Sequence, residues 1–125
     1  MDDPKKVVLA EDNADNRELI RWMLESADLS IELVEAENGE EALRLVMELK
    51  PSLVLMDMSM PVLDGWEATK RIRATKEIAN IPIIGLTAHA REEDKQRVLA
   101  IGCNEYVAKP INSDDFIEKV RRYLS

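Results

Sequence analysis

The chain is poor in the residues that build disulfide-stapled, zinc-centred or membrane-inserted proteins. It has one cysteine, Cys103, and one histidine, His89, among 125 residues. A single thiol cannot close an internal disulfide, and this pair cannot furnish a zinc site of several nitrogen and sulfur ligands. Any metal held here must be a hard, oxygen-bound cation. Long apolar runs are missing too: stretches such as Leu53 to Met56 are far shorter than a membrane span, and nothing near Met1 resembles a signal peptide. A soluble protein of the reducing cytoplasm, with no membrane insertion, is expected. Positive charge is scarce, with 17 Lys and Arg against 25 Asp and Glu, a formal charge of -8 at pH 7. Lys70, Arg71 and Arg73, or Arg121 and Arg122, are too few to offset repulsion from a phosphate backbone, so no direct nucleic-acid contact is expected.

What remains is an ordinary globular mixture, 46% hydrophobic and 34% charged, of a length that suits one domain over residues 1–125. Val7 to Ala10 is an apolar run ending in Glu11 and Asp12, the pattern of a strand buried on both faces. Leu19, Ile20, Met23, Leu24 and Ala27 then recur at helical spacing, with Arg17, Glu18, Arg21 and Glu25 toward water, predicting an amphipathic helix from about Ala14 or Asp15. A short strand over Ile31 to Ala36 leads through Asn38-Gly39 into a helix from Glu40 to Leu49, stopped by Pro51. Leu53 to Met56 is a third strand, ending at Asp57. A turn from Pro61 to Gly65 precedes a helix from Trp66 to about Ala74, then a strand from Ile81 to Leu86, followed by Thr87.

Arg91 to Ala100 is helical by propensity yet poor in apolar positions, which predicts the most exposed and most mobile helix, with Gly102 at its end. Glu105 to Ala108 is a fifth strand, ending at Lys109-Pro110. Asn112 or Ser113 caps a last helix whose core face is Phe116, Ile117, Val120 and Leu124. Strands and helices in strict alternation, with short connections and buried-type strands, imply a doubly wound α/β sandwich around a parallel sheet. Such a fold binds its ligand beyond the carboxyl ends of the strands. There this chain carries Glu11 and Asp12, Asp57, Thr87 and Lys109. Three carboxylates converging on one edge repel one another unless a cation joins them, and Mg2+, which prefers carboxylates, water and phosphate oxygens, meets that need. Lys109 and the Thr87 hydroxyl complete a phosphoryl pocket. Each residue alone reads as an ordinary strand-end polar group, and it is their coincidence that carries the chemistry. Cys103 reads as a small buried residue and His89 as a loop side chain beside the site.

In this ordered set, Val-Leu-Ala-Glu-Asp-Asn, Leu-Met-Asp-Met-Ser-Met-Pro with Asp64-Gly65, Leu-Thr-Ala and Tyr-Val-Ala-Lys-Pro, the chain resembles the receiver domains of two-component response regulators over essentially its whole length. The resemblance implies a flavodoxin-like sheet of strand order 2-1-3-4-5. It implies Asp57 as phosphoacceptor, taking a phosphoryl group from a histidine kinase or histidine phosphotransfer protein. Mg2+ would be held by Asp12, Asp57 and the Ser59 carbonyl, with Glu11 acting through water. Lys109 would pair with phosphoryl oxygens, Thr87 would hydrogen-bond one of them, and Tyr106 would turn with Thr87 as a coupled switch. The Lys109-Pro110 bond would be cis. The surface presented to a downstream protein target would be the one around the fourth helix, fifth strand and fifth helix. The protein is then a signalling switch rather than an enzyme.

Glu11 stands where many receivers carry Asp, and the resemblance implies that Ser59 and His89 flank the expected phosphoryl position, at places the family uses to tune how long the phosphate lasts. The segment Asp12 to Arg17 and the run Ala108 to Ile111 resemble phosphorelay, hybrid-kinase and single-domain cell-division receivers more than those of transcription factors. A stand-alone single-domain regulator is expected, with a receiver excised from a hybrid histidine kinase, or a non-phosphorylated pseudo-receiver, as alternatives. Partner choice is expected in exposed residues of the first helix (Ala14, Asn16, Arg17) and in Pro110 and Ile111. Two other classes fit less well. A haloacid-dehalogenase-like phosphohydrolase needs a second Asp two residues after its nucleophile, where this chain has adjacent Glu11 and Asp12 and then Asn13. A flavodoxin-like carrier needs a Ser/Thr/Gly-rich phosphate loop in the place of these acids.

Overall fold

The alternation of buried apolar runs with helix-period segments produces five strands and five helices in a computed structural model that describes residues 4–88 and 91–124. In chain order they are β1 (Lys5–Ala10), α1 (Ala14–Ser26), β2 (Ile31–Ala36), α2 (Gly39–Leu49), β3 (Leu53–Asp57), α3 (Gly65–Ala74), β4 (Ile83–Thr87), α4 (Glu92–Ala100), β5 (Glu105–Ala108) and α5 (Ser113–Leu124). Asn13, Asn38 and Asp64 cap α1, α2 and α3, each accepting a backbone N–H in the first turn. Two strand starts differ from the sequence reading. The strand expected from Ile81 begins at Ile83, since Pro82 has no N–H for a ladder and the Ile83 N–H goes to the Asn104 side chain at 2.9 Å. The first strand begins at Lys5, two residues before the apolar run, because pairing with β2 continues there.

All strand pairs are parallel and the order is β2-β1-β3-β4-β5, as expected. Alternate residues face opposite layers. Val8, Ala10, Val54, Met56 and Ile83 pack with residues of α2, α3 and α4, while Val7, Leu9, Leu53, Leu55, Ile84 and Leu86 pack with Ile20, Met23, Leu24, Phe116 and Val120 of α1 and α5. Each large apolar side chain buried this way contributes about 1.5–3 kcal/mol of transfer free energy. Ile117 and Leu124 lie partly buried against this second cluster, and Cys103 is buried as expected.

The first helix departs from its expected face. Leu19 is 46% exposed, beside Trp22 at 61%, whereas Arg17, expected toward water, is half-buried. The core stripe of α1 is narrower than its apolar content, only Ile20, Met23 and Leu24 being buried. Val98 is the one buried residue of α4, in keeping with its apolar-poor sequence. Gly85 lets that helix approach the sheet: a Cβ there would lie 2.9 Å from Val98 Cγ1.

The register brings Ala10 beside Met56, Asp57 beside Leu86 and Thr87 beside Ala108, so Glu11, Asp57, Thr87 and Lys109 leave the sheet on one edge. The segment after Asp57 is clamped by backbone contacts. Gly39 N donates to Leu63 O at 2.9 Å, and a Cβ on Gly65 would sit 2.2 Å from Asp57 O. Gly65→Ala is therefore expected to destabilise the fold by about 1–3 kcal/mol through overpacking against backbone, despite alanine's better helix propensity. Equilibrium urea denaturation checks this, and a variant as stable as the parent would contradict the close approach.

Candidate functional site

The strand ends form an open cleft of about 770 Å3, lined by Glu11, Asp12, Asp57, Ser59, Thr87 and Lys109 among others. Glu11, Asp57 and Thr87 are 1%, 3% and 4% exposed; Lys109 is half-buried, and Asp12 and Ser59 face solvent. The Lys109 ammonium donates to Asp57 Oδ2 at 3.1 Å and to Glu11 Oε2 at 3.2 Å, bridging the carboxylates that end β1 and β3. Asp57 Oδ1 accepts the Ser59 N–H at 3.1 Å, which turns the chain tightly beyond the strand. The Lys109-Pro110 peptide is cis, as the resemblance implied. His89 lies outside the described residues.

Glu11, Asp12 and Asp57 each present a carboxylate oxygen within 4.8 Å of the others. One lysine cannot neutralise three such groups. Burial, followed by the contact with Asp57, pushes the Glu11 carboxyl up to about 7, against the pull of Asn16 and Lys109. Burial alone would lower the Lys109 ammonium, but Asp57 and Glu11 outweigh it and raise the lysine. A donor set made only of oxygen, two of its three carboxylates buried, fits a hard divalent cation better than zinc or copper, which favour nitrogen and sulfur ligands.

Tyr106 is not among the cleft-lining residues. Its ring lies between Lys95 of α4 and Lys119 of α5, whose ammonium groups stand 5.1 and 5.0 Å from the ring centroid, and Lys119 also donates to the Tyr106 carbonyl at 2.9 Å. Contact with the Tyr106 side chain raises Lys95. Two residues read as exposed partner-choice positions face inward instead. Asn16 Nδ2 donates to Glu11 Oε1 at 2.8 Å, and Arg17 Nη1 to the Glu11 carbonyl at 2.7 Å. Their place in the first turn of a helix that starts just after Glu11 is the signal that could have found them. Trp66, Asp94 and Arg97 also line the cleft unforeseen, with Arg97 over the Trp66 ring at 5.6 Å.

A family model described as the response regulator receiver domain matches residues 7–121. The chain belongs to this family. Among curated relatives, this receiver is 40% identical over 121 residues to the polar-differentiation response regulator DivK of Brucella anthropi, covering 97% of both chains. It is similar to the receiver domain of sensor histidine kinase PA1611 from Pseudomonas aeruginosa, at 34% identity and a TM-score of 0.86, covering 96% of this chain and 97% of that one. That structure has a magnesium ion coordinated in its active site cleft. The chemotaxis response regulator CheY4 of Vibrio cholerae matches at 28% identity and a TM-score of 0.86, over 96% of this chain and 98% of the other. The receiver is thus a two-component signalling domain. Among its described residues no helix is long and apolar enough to cross a membrane.

Without divalent cations, folded Glu11 binds its proton more tightly than the unfolded chain, whose ordinary value is 4.5. Its contribution to stability is fully present below pH 4.5 and is lost as pH rises through about 7. Glu11→Gln is expected to flatten this fall between pH 5 and pH 8 in chelator, measured by denaturant midpoints. An identical pH profile in parent and variant would contradict the assignment.

Proposed function

We propose that Asp57 is the phosphoacceptor of this receiver and that its phosphorylation switches a protein-binding surface. The observation that carries the reading is the buried Asp57 carboxylate bonded to Lys109 at 3.1 Å, with Glu11 and Asp12 beside it. An Asp57 carboxylate oxygen attacks the phosphorus of a phosphohistidine on a histidine kinase or phosphotransfer protein. The N–P bond breaks as the new O–P bond forms, and the leaving imidazole keeps the electron pair and takes a proton from solvent. The chain's part is positioning and charge neutralisation rather than covalent activation. Lys109 follows the phosphoryl oxygens, leaving its contact with Glu11, and the Thr87 hydroxyl donates to another of them. Asp12, Asp57 and the Ser59 carbonyl, with Glu11 acting through water, would hold Mg2+, which when bound neutralises charge on the phosphoryl group.

The acyl phosphate adds up to two negative charges at the ends of β3 and β4. That charge favours one of two arrangements of the loops and of α4, a population shift without a new fold. Tyr106 couples to Thr87 and alters the face formed by α4, β5 and α5, where a downstream protein docks. Ser59, at the cleft rim, influences the phosphate lifetime. We place this activity in the cytoplasm, where the phosphodonor kinases and a reducing environment for Cys103 are found.

We further propose that residues 1–125 work as one domain in a stand-alone regulator. The mutual 97% coverage with the Brucella DivK regulator supports this. The 34% identity to a receiver of a sensor histidine kinase favours the alternative of a receiver within a larger kinase. An immunoblot of the source cells is expected to detect a species near 14.2 kDa; a single band several times larger would establish the alternative.

The test of the phosphoacceptor is intact-protein mass after incubation with Mg2+ and acetyl phosphate. The parent is expected to gain one phosphoryl group, and Asp57→Asn, which keeps the shape and removes the nucleophile, to gain none. A gain that survives in Asp57→Asn overturns the assignment, and no gain in folded parent protein favours the pseudo-receiver alternative.

A further inference from the structure

Asn16 is a cleft residue to which the proposed phosphotransfer gives no part. Its half-buried side chain donates to Glu11 Oε1 at 2.8 Å, shorter than either contact from Lys109 to the same carboxylate, 3.4 Å to Oε1 and 3.2 Å to Oε2. Lys109 is shared with Asp57 and is therefore a divided restraint on Glu11. Asn16 is neutral and undivided. It orients the carboxylate without adding a positive charge that would repel a cation, which a lysine or arginine in its place would do.

The local chain is built to hold Asn16 there. The backbone N–H of Asn16 donates to the Asn13 side chain at 3.0 Å, closing the N-cap of α1. The next residue, Arg17, ties down the Glu11 carbonyl at 2.7 Å and reaches Glu35 and Glu37 at 3.5 Å. Two consecutive helical residues thus grip Glu11 at its main chain and at its carboxylate. The grip matters because a glutamate has one more rotatable bond than an aspartate, and its carboxylate must be oriented at a cost in side-chain entropy.

We infer that Asn16 is a positioning residue that sets the divalent-cation affinity of the cleft by orienting the Glu11 carboxylate. The inference rests on the proposed Mg2+ site. When Lys109 moves toward a phosphoryl group, Asn16 continues to hold Glu11 in place, so cation binding and phosphoryl acceptance do not compete for one restraint.

The test is calorimetric titration with Mg2+ alone, using the full chain and the variants Asn16→Leu, Glu11→Gln and their combination. Asn16→Leu keeps the branched outline with bulkier methyl groups in place of the amide, and leaves the helix cap intact, because that cap uses the Asn16 main chain. It is expected to weaken Mg2+ binding about tenfold, the size set by one hydrogen bond to a charged group. Its far-ultraviolet dichroism should match the parent, and its thermal midpoint in chelator should fall by no more than the loss of one hydrogen bond to a buried carboxylate; if it does not fold, Asn16→Ala serves instead. The double variant should bind no more weakly than Glu11→Gln alone, since Asn16 acts through that carboxylate. Parent-like Mg2+ affinity in Asn16→Leu, or losses that add in the double variant, overturns the positioning role. If the parent takes up Mg2+ and a phosphoryl group, those results leave the receiver reading standing; if the parent itself takes up no Mg2+, the cation site fails and this inference with it.

Discussion

Like-charge repulsion at one edge of the sheet is the constraint on which the site depends. Three carboxylates share a space less than 5 Å across, and a single lysine bridges two of them. In so buried a setting, removing one partner leaves an uncompensated charge, which costs far more than an exposed ion pair contributes. The arrangement is balanced only when further positive charge arrives, and it is reset when further negative charge does. On the proposed reading, a response to ions and to phosphoryl groups would follow from the charge count itself, before any conformational change is considered.

The rest of the molecule holds these charges together against their repulsion. Parallel pairing sets β1, β3 and β4 in a register that leaves Glu11, Asp57 and Thr87 nowhere to retreat. Two apolar clusters, one on each face, make that register costly to slip, because a one-residue shift would exchange the faces of Val7 to Ala10 and Leu53 to Met56. The backbone contacts at Gly39 and Gly65 close off the remaining freedom of the segment beyond Asp57. Stability is concentrated at the centre of the sheet, and the polar cleft draws on it.

Much of this was legible from residue order alone. Apolar runs and period-3.6 patterns separate strands from helices here because the central strands carry buried apolar runs, as at Val7 to Ala10 and Leu53 to Met56, and the caps are strong, as at Asn38 and Asp64. The candidate residues Glu11, Asp57 and Thr87 were legible because each ends a buried run, where a polar group has a structural reason to be noticed. What escaped was everything that depends on which way a helix is rolled. Leu19 counts toward an apolar stripe in the sequence but faces solvent, while Asn16 and Arg17 look like surface residues and turn toward Glu11. Arg97 over Trp66 escaped for the same reason, since spacing along a chain says little about two helices meeting across a cleft. Pro82 moved the start of β4 through its missing N–H, a local effect that hydrophobic periodicity does not register.

The thin attachment of α4 has a consequence for how the molecule breathes. Only Val98 anchors that helix in the core, beside Gly85, with Lys95 against the Tyr106 ring adding a polar contact at its edge. Its backbone amides can therefore exchange with solvent through a local opening that leaves the two apolar clusters largely intact, whereas the amides of β1 and β3 must wait for the whole sheet to come apart. The least protected helix and the most protected strands meet at the cleft, so opening at one wall leaves the carboxylates on the other in place.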